Sequence, residues 1–191
     1  MLCILISGKI GSGKTTLAKA LCKNFQQQGL FVIERTFADE LKMQCASELN
    51  IPIELFYSQE GKNTLLNNNS LGTYLQIIAT REREKDQDHW VKKLIENLPP
   101  ISIDILIISD LRYKNELNYL QQHNYSQFII RLQGDPGKVR QNSNRNLEHI
   151  SEIDLDDYTK FDLIINTDEI TIDDSVNKIN CAVFEQHNCD R

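Results

Sequence analysis

The chain has 191 residues, 40% of them hydrophobic and 25% charged, with a net charge of −6. That is enough apolar material for one domain with a proper core, and no stretch is long and apolar enough to span a membrane. The acidic balance argues against general nucleic-acid binding, which carries a basic surface, without excluding a local basic pocket for a phosphorylated ligand.

Met1-Leu2-Cys3 runs straight into an apolar segment without a signal-peptide layout, so a cytosol-like compartment is expected. Leu2–Ser7 is an uninterrupted apolar run that predicts a buried parallel strand. Gly8-Lys9-Ile10-Gly11-Ser12-Gly13-Lys14-Thr15 follows at once, a complete G-x-x-x-x-G-K-[ST] loop. Beyond it, Leu17, Leu21 and Phe25 fall at helical spacing, predicting a helix over 14–28. Strand, glycine loop and helix in this order build a phosphate cradle. Backbone N–H groups of Gly11, Ser12 and Gly13 and the helix start at Thr15 and Thr16 hold the anion. Lys14 reaches the β/γ-phosphates, and the Thr15 hydroxyl binds Mg²⁺. The loop therefore implies a bound nucleoside triphosphate with Mg²⁺.

Four more strands are expected at Leu30–Thr36, Ile103–Ser109, Gln127–Leu132 and Phe161–Asn166. Helices are expected at 38–49, 71–85, 87–98, 114–123 and 171–185, with Pro99-Pro100 stopping the one before the third strand. Strands alternating with helices give an α/β fold, a five-stranded parallel sheet with helices on both faces. Residues 59–71, with Asn67-Asn68-Asn69, read as a polar loop. Residues 134–160 read as a lid segment carrying Lys138, Arg140 and Arg145, then an acidic patch at Asp154, Asp156 and Asp157. The chain is read as one domain over 1–191, with an acceptor-binding insertion at about 37–98 and the lid at about 134–160. The five cysteines, Cys3, Cys22, Cys45, Cys181 and Cys189, form no C-x-x-C pair, and the first three read as buried free thiols.

The strand Ile105–Ser109 ends in Asp110, where a phosphate-loop fold places a Mg²⁺-associated carboxylate, and Arg112 follows near the same edge. Arg81 and Arg83 close the 71–85 helix, ahead of Asp86, His89 and the single tryptophan, Trp90.

In these segments the chain resembles the deoxynucleoside monophosphate kinases of bacteriophages and large DNA viruses, and their relatives the animal-type phosphomevalonate kinases. The likeness is carried, in order, by the loop from Ser7 to Thr15, Phe37-Ala38-Asp39-Glu40-Leu41-Lys42 and Arg83-x-x-Asp86-x-x-x-Trp90. Ser109-Asp110-Leu111-Arg112-Tyr113-Lys114-Asn115-Glu116, His149-Ile150-Ser151-Glu152 and Phe161–Asn166 complete it. The resemblance implies a nucleoside monophosphate kinase-like phosphate-loop fold. It also implies transfer of the ATP γ-phosphoryl group to a phosphate already on the acceptor, the reaction of a deoxynucleoside monophosphate kinase. Lys9 and Lys14 would contact phosphates; Lys42, Arg83 and Arg112 would hold the acceptor monophosphate; Asp110 would organise Mg²⁺ and acceptor. Arg131, Arg140 and Arg145 become donor-side or lid cations, and His149, Ser151 and Glu152 sit near the closing lid. A nucleobase needs an apolar or aromatic slot with amide partners, which Phe37, Tyr57, Tyr74, Gln76 and Trp90 supply, beside Asp39. The sequence departs from these families at Ile10-Gly11, where a cation often stands, and at Thr15, where an Asp often does.

The alternatives are a phosphomevalonate-type kinase of the same fold and a non-catalytic nucleotide-binding regulator. A switch GTPase is disfavoured because no N-K-x-D motif is present. Small-molecule nucleotides are the expected partners, with no nucleic acid and no membrane; a homodimer is left open. If the source is viral, the host cytosol or a virus factory is the compartment implied.

Overall fold

The structure, a computed structural model, describes residues 1–134 and 150–189. It divides into two compact units, residues 1–35 with 100–191, and residues 36–99.

The first unit is built on five parallel strands: β1 (Leu2–Gly8), β2 (Val32–Arg35), β5 (Ile105–Leu111), β6 (Ser126–Gln133) and β7 (Leu163–Asn166). They lie in the order β2-β5-β1-β6-β7. Every residue of β1 is buried, as a central parallel strand requires. Its alternate side chains Leu2, Ile4 and Ile6 join Ile105, Ile107, Phe128 and Ile130 in one core. That core is closed by Leu17, Leu21 and Phe25 of α1 (Lys14–Gln27) and by Val176, Ile179 and Val183 of the C-terminal helix, α8 (Ile172–Cys189). The connection from β5 to β6 runs along the sheet opposite to β1–α1–β2. With right-handed crossovers, α6 (Lys114–Gln122) therefore covers the other face. Cys3 and Cys45 are buried free thiols, whereas Cys22 is only half-buried.

The second unit holds α2 (Phe37–Leu49), α3 (Gln59–Asn63), β3 (Leu65–Leu66), β4 (Asn69–Ser70), α4 (Leu71–Lys85) and α5 (His89–Glu96). The two longest of these helices, α2 and α4, each start on a hydroxyl cap. The Thr36 Oγ1 accepts the Asp39 N–H at 3.0 Å, and the Ser70 Oγ accepts the Thr73 N–H at 3.1 Å. Helix α2 packs against α4 and α5, and the unit buries Phe37, Phe56, Ile78, Trp90 and Leu94.

The stretch 59–71, expected from the sequence to be a polar loop, is structured. Ser58 caps the short α3 by accepting the Gly61 N–H at 2.9 Å. Leu65-Leu66 then pairs with Asn69-Ser70 around Asn67 and Asn68, at φ 49° and 70°. Two left-handed asparagines are turn chemistry for a tight hairpin. A short helix, α7 (Ile150–Ile153), opens the described part of the acidic stretch.

Trp90, 2% exposed, is the largest fully buried side chain. Trp90→Ala should cost about 3–5 kcal/mol of stability, read by chemical denaturation. A loss below about 1 kcal/mol would show that the indole is not a core residue.

Candidate active site

The candidate site in the first unit grows from the carboxyl ends of β1, β5 and β6, where ligands sit in open parallel sheets. Gly8 must be glycine: a Cβ there would lie 2.5 Å from the Ser12 Oγ and 3.0 Å from the Leu132 carbonyl oxygen. Gly13, at φ 87°, takes the left-handed turn that starts α1 at Lys14. The Lys14, Thr15 and Thr16 N–H groups therefore begin a helix whose first turn contains no acidic side chain. Such a terminus is an anion site by its dipole and its unmatched donors. Among the described residues the buried Ser12 hydroxyl has no hydrogen-bond partner, so a polar group of the loop awaits one.

Lys14 folds over the loop, donating from Nζ to the Gly8 carbonyl at 2.6 Å and the Lys9 carbonyl at 2.8 Å. Burial, and then the nearby Arg112 charge, pull its pKa down to about 8, while the Glu152 and Asp110 carboxylates pull the other way. Asp110 is thus within electrostatic reach of the loop lysine. Its placement has a local cause. Leu5 pairs with Ile108 but Ser7 with Leu111, so β5 carries one extra residue against β1 at the Ser109-Asp110 step. A bulge of this kind re-aims side chains at a strand end. Ser109 donates to Glu34 Oε1 at 3.0 Å, linking β5 to the edge strand β2.

Arg112 is set by Glu116, to which the sequence motif by itself assigns no role. The buried Glu116 carboxylate accepts both the Arg112 and Tyr113 N–H groups at 3.0 Å, fixing the turn from β5 into α6. The usual Ser or Thr of a capping box is replaced by Tyr113, which hides the signal. The Arg112 guanidinium pairs with Glu152 and donates to the Ser151 carbonyl at 3.2 Å. Glu152 Oε2 in turn accepts the Ile10 N–H of the loop at 3.1 Å. Burial opposes the charge on Glu152, but Arg112, the Ile10 N–H and Lys14 outweigh it and hold the carboxyl below its ordinary range. Arg131 of β6 donates to the Ser7 Oγ at 3.0 Å and pairs with Asp156, which also pairs with Lys9. The structure therefore brings together the loop, Asp110, Arg112, Arg131 and Glu152, and adds Asp156 and Glu116. Arg140, Arg145 and His149 lie outside the described residues.

The remaining candidates lie in the second unit. The Asp39 carboxylate accepts from Lys42 Nζ at 2.9 Å and from the Tyr57 hydroxyl at 3.1 Å. Burial works against its charge, but these bonds prevail and lower its pKa. Lys42 lies 4.2 Å from the Tyr57 ring centroid, and Tyr57 is 56% exposed. Phe37 and Trp90 are core residues, so neither offers an open ring face. Tyr74 and Gln76, expected from the sequence to share one slot, are about 200° apart around α4. The Tyr74 hydroxyl donates to the Leu66 carbonyl at 3.2 Å. Gln76, Thr80 and Arg83 recur at i, i+4 and i+7 and share one face. Arg81 is tied to Glu48 and Glu82, each at 2.6 Å.

Among the described residues no three His, Cys, Asp or Glu side chains converge as a metal-binding group. One hydroxyl and one carboxylate, Thr15 and Asp110, suit a magnesium ion that keeps waters and phosphate oxygens as its other ligands. No helix among the described residues is long and apolar enough to cross a membrane.

The sheet order and the loop between β1 and α1 define a phosphate-loop α/β fold. The protein is similar in fold to shikimate kinase from Aquifex aeolicus, at 13% identity over 98% of each chain and a TM-score of 0.51. A gluconokinase from Sinorhizobium meliloti matches at 12% identity over 96% of this chain and 91% of that one, also at a TM-score of 0.51. Among curated protein sequences, none matches. The chain belongs to the phosphomevalonate kinase family, whose sequence model matches residues 6–127, well over half of its length.

Proposed function

We propose that this protein transfers the γ-phosphoryl group of Mg-ATP to the phosphate of a (deoxy)nucleoside monophosphate, giving the diphosphate and ADP. The observation that carries the phosphotransfer is the complete phosphate loop with Lys14 folded over it, facing the charges of Asp110 and Arg112. A phosphate acceptor is ionised near neutral pH, so no strong general base is needed; alignment and charge neutralisation supply the rate. Bound at Thr15 and Asp110, Mg²⁺ would neutralise charge on the phosphates. The chain's own residues do the rest: loop N–H groups and Lys14 hold the donor phosphates, and Arg112 meets an acceptor phosphate.

For the nucleoside part, two features of the second unit support the reading. Tyr57 exposes an aromatic face beside Lys42 and Asp39, and α4 carries the Gln76 amide on the same face as Arg83. An aromatic face and an amide are what a base requires. The second reading is a phosphomevalonate acceptor, favoured by the family match.

Coupled ADP release with Mg-ATP against a panel of dNMPs, NMPs and phosphomevalonate tests the choice. Turnover with one or more deoxynucleotides is expected; turnover with phosphomevalonate alone would replace the nucleotide by that acceptor. Arg83→Ala should raise the acceptor KM at least about tenfold with little change in ATP affinity. Equal effects on both substrates would remove Arg83 from acceptor binding.

The Lys14 pKa sets a pH dependence. In the free protein its ammonium is present below about pH 8 and lost as pH rises through that value. Bound phosphates favour the charged form, so ATP binding near pH 8 should take up protons, and affinity should fall above it. Calorimetry in buffers of different ionisation enthalpy reads this directly. Release of protons on binding would contradict it.

A further inference from the structure

The segment from α7 to Asp157 lays carboxylates across the cations of the phosphate site. Glu152 takes the Ile10 N–H of the loop and the Arg112 guanidinium. Asp156 takes Lys9 and Arg131. The other two carboxylates hold the segment down elsewhere: Asp154 accepts the Lys114 N–H at 2.8 Å, and Asp157 accepts from Lys114 Nζ at 2.7 Å. Leu155, 2% exposed, anchors the segment in the first unit. Two carboxylates thus face the loop and two face the start of α6, with an apolar anchor between them. The tether survives if Glu152 and Asp156 change partners.

We infer that Glu152 and Asp156 are internal competitors for the phosphates of the substrates, each marking a separate anion subsite. The Glu152 subsite consists of the Ile10 N–H and Arg112; the Asp156 subsite consists of Lys9 and Arg131. A carboxylate offers a guanidinium or a backbone N–H the same kind of oxygen acceptor that a phosphate does. A cluster of four cations (Lys9, Lys14, Arg112 and Arg131) would otherwise repel itself and collect stray anions. The resident carboxylates relieve that repulsion, and an entering phosphate must displace them. This rests on the reading of the loop as a phosphate site. It adds that affinity is set in part by what the carboxylates give up.

The opposite role is also definite: carboxylates that only orient Lys9, Arg112 and Arg131 would make binding weaker when removed. Glu152→Gln, Asp156→Asn and the double variant keep side-chain volume and separate the two roles. The probe is inorganic pyrophosphate, titrated by calorimetry into the full chain. Competition predicts tighter binding, by about tenfold for Glu152→Gln, whose side chain is 9% exposed, and about threefold for the more exposed Asp156→Asn. Hydrogen exchange on the unaltered protein gives a second readout. Pyrophosphate should speed exchange of the Asp154 and Asp156 N–H groups, which bond the Ile150 and Ile153 carbonyls at 2.9 Å, while leaving the Lys114 N–H protected by Asp154. Unchanged or weaker binding by the variants, or no change in exchange, would overturn the inference and leave the phosphate site standing. No pyrophosphate binding by any of the four proteins would overturn the phosphate site and the inference together.

Discussion

Lys14→Ala should lower kcat by about 10²- to 10³-fold or more, the scale of removing one charge that stabilises the transition state, and leave the fold intact. The ammonium folds back over carbonyls of its own loop, Gly8 and Lys9. From that position it can exchange two neutral acceptors for phosphate oxygens without moving the backbone. The loss to the empty protein is small by comparison. Helix α1 keeps its buried face of Leu17, Ala18, Leu21 and Phe25, and the Leu17 N–H still bonds the Gly13 carbonyl at 2.9 Å. Coupled ADP release measures the first part and thermal unfolding the second. Retained turnover would remove Lys14 from catalysis. A melting loss matching the activity loss would make its role structural.

Arg112→Ala should have the second largest effect, and a compound one. The guanidinium faces the loop lysine closely enough to lower its pKa, so it acts on the same phosphates. Its removal should lower kcat/KM by about 10²-fold or more. It also leaves the Glu152 side chain, only 9% exposed, with the Ile10 N–H and Lys14 as its remaining support. A buried carboxylate that loses its cation costs stability, of the order of 3 kcal/mol for a fully buried pair and less here. The third consequence has a fixed sign. Arg112 depresses Lys14, so removing it raises the Lys14 pKa above about 8, and the alkaline edge of ATP binding moves to higher pH. A purely structural role for Arg112 would lower stability without shifting that edge. Binding titrations across about pH 7 to 10, the range spanning the depressed and the ordinary lysine pKa, separate the two.

What is legible in the sequence follows from what is local. The central strands are continuous apolar runs that must be buried on both faces, so alternation plays no part: β1 reads Leu2-Cys3-Ile4-Leu5-Ile6 and is buried throughout. The loop is a contiguous motif, so Gly8 to Thr15 needs no tertiary information. Asp110 and Arg112 are legible because a strand end is also local. The hairpin at Leu65–Ser70 escapes because each strand is two residues long, too short to show alternation; the paired left-handed Asn67 and Asn68 are its signal. The grouping of Tyr74 with Gln76 in one slot fails on helix geometry alone, since neighbours two positions apart face away from each other. Trp90 belongs to a motif that points to the site, yet its position in α5 makes it core. The role of Asp156 is not readable at all. Its partners Lys9 and Arg131 stand 147 and 25 residues away, and only the sheet order brings β1, β6 and the acidic segment together.

The most direct test of the central claim, transfer from ATP onto an existing phosphate, is ³¹P NMR of the products formed with Mg-ATP and a deoxynucleoside monophosphate. Two coupled doublets of a new diphosphate should appear in step with ADP. Inorganic phosphate as the only new phosphorus species, or a new uncoupled monoester singlet with the acceptor's own phosphate unchanged, would contradict that claim.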